Sequence, residues 1–374
     1  MSLRELRRHV GRLLIAGFDG RVVPAELKAL AREFDLGGVI LFGRNVDGPE
    51  QTADLTFELQ RLERELPLWI SVDQEGGRVA RLRAPFTEWP PMSTLGRSGD
   101  SGLAERFARA LAAELRAVGV TLDYAPVLDV HTNPKNPVIG DRALSDRPDL
   151  VARLGAVIVR TLQAEGVAAC GKHFPGHGDT GTDSHKELPL VEHPPDRLRA
   201  VEFVPFRAAI DAGVAAIMTA HVLVPALDEE RPATLSPVIV RGLLKEELGY
   251  GGMVLSDDLE MQAIAGRMDV ADAAVAALAA GCDGLLICGT DHDRQAHALE
   301  AIIHAVEREG LPFARIEDAW RRIEAMKLRF LAAGAGGAPS LVPRGGRPPS
   351  ALDLRRLVGT AAHQAVADEM ARFL

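Results

Sequence analysis

"GKHFPGHGDTGTDSH", residues 171 to 185, separates two ways of folding this chain. It contains G-x-G-x-x-G at Gly176, Gly178 and Gly181, interleaved with His173, His177, His185, Asp179 and Asp183. A dinucleotide cradle would need a strand before the first glycine and a helix opening at the last, because the helix N-terminus holds the pyrophosphate. "GVAAC" (166 to 170) supplies the strand, but "TDSHKELPLVEHPP" (182 to 195) carries three prolines and no 3.6-residue apolar period. No helix is expected there. The stretch therefore reads as a long polar loop leaving a strand end, the kind of segment that carries chemistry or gates it.

Outward from that strand, short apolar runs recur along the chain. They are "LLIAGF" (13 to 18), "GGVILFG" (37 to 43), "LWISVD" (68 to 73), "TLDYAPVLDV" (121 to 130), "VAACGKHF" (167 to 174), "AAIMTAHV" (215 to 222), "GMVLSDDL" (252 to 259) and "DGLLICG" (283 to 289). Between them lie amphipathic patterns such as 102 to 119 and 197 to 213, with apolar residues three and four apart. Strands apolar on both faces that alternate with helices imply a parallel sheet, and eight such units imply a closed (β/α)8, TIM-like α/β barrel. A doubly wound open sheet is the rival. The barrel is expected to occupy residues 1 to 333. A Gly/Pro-rich linker (334 to 350) and a C-terminal helix (351 to 374) follow, and nothing in the pattern says where that helix docks.

With 374 residues and a net charge of −9, the chain has no block of basic residues, which argues against nucleic acid or anionic membrane as partner. A small, modestly polar substrate and a monomer are expected. Cys170, Cys282 and Cys288 sit in apolar surroundings and read as buried free thiols of a reducing compartment. The apolar patch near the N-terminus is too short for a signal peptide, and no run is long enough to span a bilayer. The expected location is the cytoplasm.

Several runs end in polar groups: Asp73, Gln74 and Glu75; Asp129 and His131; Lys172 and His173; His221; Asp257 and Asp258. In a barrel these ends converge on the catalytic face, whereas helix capping alone would not place so many ionisable groups there. The loop histidines with Asp179 and Asp183 invite a metal reading. Their spacing matches no compact zinc pattern, so neither metal nor cofactor is expected. His193 reads as a solvated loop residue. Asp183, two residues from His185, can hydrogen-bond its ring and form a proton-transfer dyad, with a loop salt bridge as the bland alternative. Of the adjacent Asp257 and Asp258, strand alternation lets only one face the barrel mouth.

Taken together, "VDQEGGRVARL" (72 to 82), "GDRALSD" (140 to 146), "GKHFPGHGDTGTDSH", "MTAHV" (218 to 222) and "SDDLEM" (256 to 261) resemble family 3 of the glycoside hydrolases. Within it they are most similar to the bacterial β-N-acetylglucosaminidases. The resemblance implies that Asp257 is the nucleophile and His185 the general acid/base with Asp183 as its partner. It also implies that Asp73, Arg81, Arg142, Lys172 and His173 hold the hydroxyls of the terminal sugar. Leu144 stands where relatives commonly have an aromatic, which affects the packing of the Arg142 loop. Relatives that take their acid/base from a second large domain would need more chain than the tail after residue 331, so the donor is expected in the barrel's own "DTGTDSH" loop, whose glycines would let it swing in. The resulting expectation is a retaining hydrolase that removes N-acetylglucosamine from peptidoglycan fragments. Phosphorolysis by the same residues and a non-catalytic sugar-binding barrel remain as alternatives.

Overall fold

A computed structural model describes residues 2–62, 66–184, 187–332 and 347–374. Eight parallel strands close into a barrel in which each lies beside its neighbours in sequence. They are β1 (Leu14–Ala16), β2 (Gly38–Leu41), β3 (Trp69–Val72), β4 (Leu122–Asp123), β5 (Ala168–Phe174), β6 (Ala216–Thr219), β7 (Met253–Asp258) and β8 (Gly284–Ile287). The ring is shut by β1 against β8, with Leu14, Ile15 and Ala16 in register with Leu285, Leu286 and Ile287. Each of the eight apolar runs contains one of these strands.

An outer helix follows each strand: Ala25–Phe34, Pro49–Gln60, Ser101–Ala117, Pro148–Ala164, Phe203–Asp211, Val238–Glu247, Val270–Ala280 and His292–Glu307. Their formation is locally encoded. In Ser101–Ala117 the Asp100 side chain caps the first turn by accepting the Gly102 N–H at 2.7 Å, and Leu103, Phe107, Leu111 and Leu115 form the buried stripe. Phe107 stands edge-on to Trp89 at 5.1 Å. Truncating a ring packed this way costs about 3–5 kcal/mol.

Three expected elements are interrupted: the C-terminal helix breaks into Ala351–Leu357 and Ala361–Ala371 around Gly359, whose φ is +59°, and two others break at a proline. The amphipathic stretch 197 to 213 forms two helices, Pro195–Ala200 and Phe203–Asp211, broken at Val201. Pro205 lies four residues beyond that break, and its ring would clash with the Val201 carbonyl in a continuous helix. The run 121 to 130 yields only two strand residues, because Pro126 brings no N–H to the ladder. Pairing resumes after it, where the Leu128 N–H reaches the Lys172 carbonyl at 2.6 Å.

The C-terminal segment docks on the barrel's outer helices. Helices Ala351–Leu357 and Ala361–Ala371 bury Leu354, Ala367 and Met370 against the main core. Glu114, itself buried, accepts the Gly359 N–H at 2.9 Å and faces His363 Nδ1 at 2.8 Å. All three cysteines are buried free thiols. Among the described residues no helix is long and apolar enough to cross a membrane.

Candidate active site

The C-terminal strand ends bring a compact charge cluster to the barrel mouth. Lys172, at the end of β5, sends its ammonium to Asp73 at 2.7 Å and to Glu75 at 2.6 Å. Arg142 forks onto Glu75 with bonds of 2.9 and 2.8 Å, and Arg81 reaches Asp73 at 3.2 Å. Asp73 and Glu75 are two apart in an extended segment, so both carboxyls point the same way. Burial alone would push both carboxyls up. Lys172 and Arg81 nevertheless hold Asp73 below the usual range, and Arg142 and Lys172 hold Glu75 well below it. In the same way burial would lower the Lys172 ammonium, but the two carboxylates raise it above a lysine's ordinary value. The cluster is thus fully ionised, with two anions and three cations. Arg81 Nε is buried without a hydrogen-bond partner among the described residues, leaving a donor unspent.

A second set of bonds fixes the first part of the loop. Asp129, fully buried, faces His173 Nδ1 at 2.7 Å and accepts the His177 N–H at 2.6 Å. Burial would push this carboxyl up, but His173 and then His177 keep it low. His177 has Nδ1 2.6 Å from the Thr180 hydroxyl and Nε2 3.2 Å from that of Ser184. Burial drops its imidazole to about 4, so it is neutral at neutral pH. A Cβ on Gly178 would meet the Val130 carbonyl oxygen at 1.9 Å, so only glycine lets the two backbones approach this closely. Asp179 is held by the Thr132 hydroxyl at 2.7 Å and faces His193 Nε2 at 2.5 Å. His193 is therefore half-buried against Asp179 rather than solvated, because the chain folds back and brings the two together. Among the described residues no group of three or more His, Cys, Asp and Glu is arranged to hold a metal.

Strand β7 delivers the two adjacent aspartates. Asp257 accepts the Asp258 N–H on Oδ1 at 2.8 Å. Asp258 turns its Oδ1 to the Glu260 and Cys288 N–H groups, both at 3.1 Å. Burial raises the Asp258 carboxyl to about 6, the two N–H groups opposing it. The alternation expected of the strand is met only in part: Asp258 ties the turn leaving β7 to the end of β8, yet it also borders the mouth. Two cavities of about 240 and 200 Å³ share Asp73, Arg81, Met218, Asp257 and Met261. The first adds Tyr124, Asp258 and Cys288; the second adds Arg142, Lys172, His173, His177 and Ser184.

One space therefore collects Asp73, Arg81, Arg142, Lys172, His173 and Asp257 from four stretches of chain. Asp183 is half-buried, and its carbonyl accepts the Glu187 N–H at 3.0 Å. His185 lies outside the described residues. Sequence reasoning gave no role to Glu75 and Asp129, the anions that fix Arg142, Lys172 and His173. The spacing of Asp73 and Glu75, two apart just past a strand, was the available signal. His221 is a support as well, its ring held between Thr234 Oγ1 and the Asp258 carbonyl, each at 2.8 Å.

Residues 5–326 match the family described as the glycosyl hydrolase family 3 N-terminal domain. The chain is 36% identical over 334 residues to β-hexosaminidase A of Pseudoalteromonas piscicida, in an alignment covering 82% of this chain and 56% of that protein, a little over half its length. Among solved structures, the family 3 β-N-acetylglucosaminidase of Paenibacillus sp. superposes with a TM-score of 0.91 at 42% identity, covering all of this chain and 69% of that one. NagZ of Neisseria gonorrhoeae, solved with N-trifluoroacetyl-D-glucosamine, gives a TM-score of 0.75 at 30% identity over 96% of this chain and 97% of that one. The match over residues 5–326, which takes in the whole barrel, establishes that this chain belongs to glycosyl hydrolase family 3.

Proposed function

We propose that the protein is a retaining β-N-acetylhexosaminidase that removes terminal β-linked N-acetylglucosamine from peptidoglycan fragments. The observation that carries this reading is the placement of Asp257 in the same cavity as Asp73, Arg81, Arg142, Lys172 and His173. Carboxylate, guanidinium and ammonium groups make charge-assisted bonds to vicinal hydroxyls, and here they converge beside a carboxylate able to attack. The named relatives suggest the sugar: one is a β-hexosaminidase, another a β-N-acetylglucosaminidase, and NagZ was solved with N-trifluoroacetyl-D-glucosamine.

In this mechanism Asp73, Arg81, Arg142, Lys172 and His173 hold the ring while Asp257 attacks the anomeric carbon. His185, as imidazolium paired with Asp183, protonates the departing oxygen. The glycosyl-enzyme ester on Asp257 is then hydrolysed by a water that neutral His185 deprotonates, and the configuration is retained. Retaining pairs usually comprise two carboxylates; an imidazole in the donor position does the same proton transfers at a higher pKa. The expected setting is the cytoplasm and the active form a monomer. The proposed organisation is a catalytic barrel (1 to 333), a linker (334 to 350), of which residues 334–346 lie outside the described residues, and a helical C-terminal segment (351 to 374).

Product analysis on an aryl N-acetylglucosaminide, an aryl glucoside and a muropeptide tests the proposal. Release of N-acetylglucosamine from the first and third, with a 2-fluoro sugar trapped on Asp257, is the expected result. Label on another side chain would refute the mechanism. Faster turnover in phosphate than in inert buffer, with a sugar phosphate as product, would make the enzyme a phosphorylase.

A further inference from the structure

Beneath the charge cluster lies a carboxyl to which the mechanism gives no part. Asp123 ends β4, is fully buried and accepts the Gln74 amide N–H on Oδ1 at 3.0 Å. Its Oδ2 is also buried and has no hydrogen-bond partner among the described residues. Burial pushes this carboxyl well above its usual range, and the Gln74 N–H and Lys172 do not overcome that. A dry carboxylate with one donor would be far costlier than a neutral acid that lacks one bond.

Gln74 is what this bond holds in place. The preceding residue is Asp73. The Gln74 carboxamide accepts the Arg81 N–H at 2.8 Å and the Leu82 N–H at 3.0 Å, and donates to the Leu82 carbonyl at 2.9 Å. The chain leaving Asp73 and the chain entering Arg81 are thus tied to one residue, whose backbone is tied to Asp123. Strand register makes the reach short, since Val72 of β3 pairs with Asp123 of β4. We propose that Asp123 is a positioning residue for sugar binding: by holding the Gln74 amide it sets where Asp73 and Arg81 stand in the cavity. The inference rests on the reading that these two residues grip the sugar. A neutral acid at this position also leaves the Lys172 ammonium to Asp73 and Glu75 instead of competing for it.

The test measures affinity for N-acetylglucosamine, as an inhibition constant and by calorimetry, beside KM and kcat on an aryl N-acetylglucosaminide, with thermal unfolding followed in parallel. Asp123→Ala should weaken sugar binding and raise KM by roughly 10- to 100-fold, with a smaller change in kcat, because displaced binding groups lose their geometry. Asp123→Asn keeps a neutral oxygen facing the Gln74 N–H and should recover most of that loss. Gln74→Met, which severs the carboxamide bonds to residues 81 and 82, should give the same KM-weighted defect. If Asp123→Ala does not fold, Asp123→Ser, with a shorter acceptor, takes its place. Sugar affinity unmoved by Asp123→Ala, or an Asn variant as impaired as the Ala variant, overturns the proposal. Absent hydrolysis with sugar affinity still governed by Asp123 would refute the proposed activity and leave the positioning role standing.

Discussion

The two sides of the proposed sugar cavity are built on different terms. On one side Glu75, 2% exposed, is bound by Arg142 and Lys172, and Asp73 by Lys172 and Arg81. On the other, Asp257 is half-buried, and the hydrogen bond found for its carboxylate comes from the next residue's backbone. The first side is a network whose members stabilise one another, so each is needed for folding as much as for binding. The second gives Asp257 the freedom that the proposed attack on carbon requires. Removing a group from the network should therefore cost stability and activity together, and removing Asp257 should cost activity alone.

Asp257→Ala gives the largest effect. Turnover should fall to the detection limit, while the melting temperature stays within the small range of a substitution that breaks no network. A melting temperature that falls as far as the activity would place Asp257 in the network and erase the contrast. Glu75→Gln tests the opposite side. It leaves Arg142 and Lys172 short of a buried counter-charge, at a cost of about 3–5 kcal/mol, with sugar binding lost as well. Because the Glu75 carboxyl is held low in the folded protein, its contribution is full above the unfolded value near 4.5 and fades as pH falls below that. Unfolding curves of wild type and variant should converge in acid.

His185→Ala comes next. Loss of a proton donor costs on the order of 10² to 10⁴ in kcat with a poor leaving group and less with an activated aryl one. Equal losses on both substrates would remove the donor role from His185.

Asp258 sharpens the comparison through stability. Its folded carboxyl is raised to about 6, so between the unfolded value of 3.8 and that point the folded state holds a proton the unfolded state has lost. Its contribution to stability therefore falls as pH rises through this window and stays low above it. Asp258→Asn, measured against wild type, should gain on the order of 1–3 kcal/mol between pH 4 and pH 7. A difference independent of pH would mean that Asp258 is ionised throughout.

The fold was legible because its signal is repeated: each apolar run holds a strand, and strands apolar on both faces belong inside a ring of helices. Even the broken helix at Val201 was encoded, in the position of Pro205. The residues that meet in the candidate cavity were legible where they end strands, as Asp73, Lys172, His173 and Asp257 do. What the sequence could not show is which groups meet. Glu75 binds Arg142 across 67 residues and Asp129 faces His173 across 44, and no local pattern carries such pairings. The loop that suggested a nucleotide cradle uses Gly178 for something else, a close approach to the backbone at Val130.

The terminal helices show the same gap, since an amphipathic pattern announces a buried face without naming what covers it. Here the cover is the Ser101–Ala117 helix with Pro49–Gln60 and Ser93–Ser98 beside it, and Glu114 is the anchor. Its carboxylate accepts the Thr87 N–H at 2.9 Å, the Thr87 hydroxyl at 2.6 Å and the Gly359 N–H at 2.9 Å, and faces His363 at 2.8 Å. Burial would push the carboxyl up, but His363 and Thr87 bring it below its usual value. Among the described residues, none from either terminal helix lines the two candidate cavities. Glu114→Gln should thus cost about 1–3 kcal/mol at pH 7 and leave kcat/KM unchanged. With a depressed folded pKa, the stability that Glu114 adds is complete above 4.5 and disappears as pH falls beneath it, so the variant's deficit should close in acid. A deficit that persists at low pH would place its source in hydrogen-bond geometry instead of charge, and no deficit at pH 7 would assign the anchor to apolar burial of Leu354 and Met370.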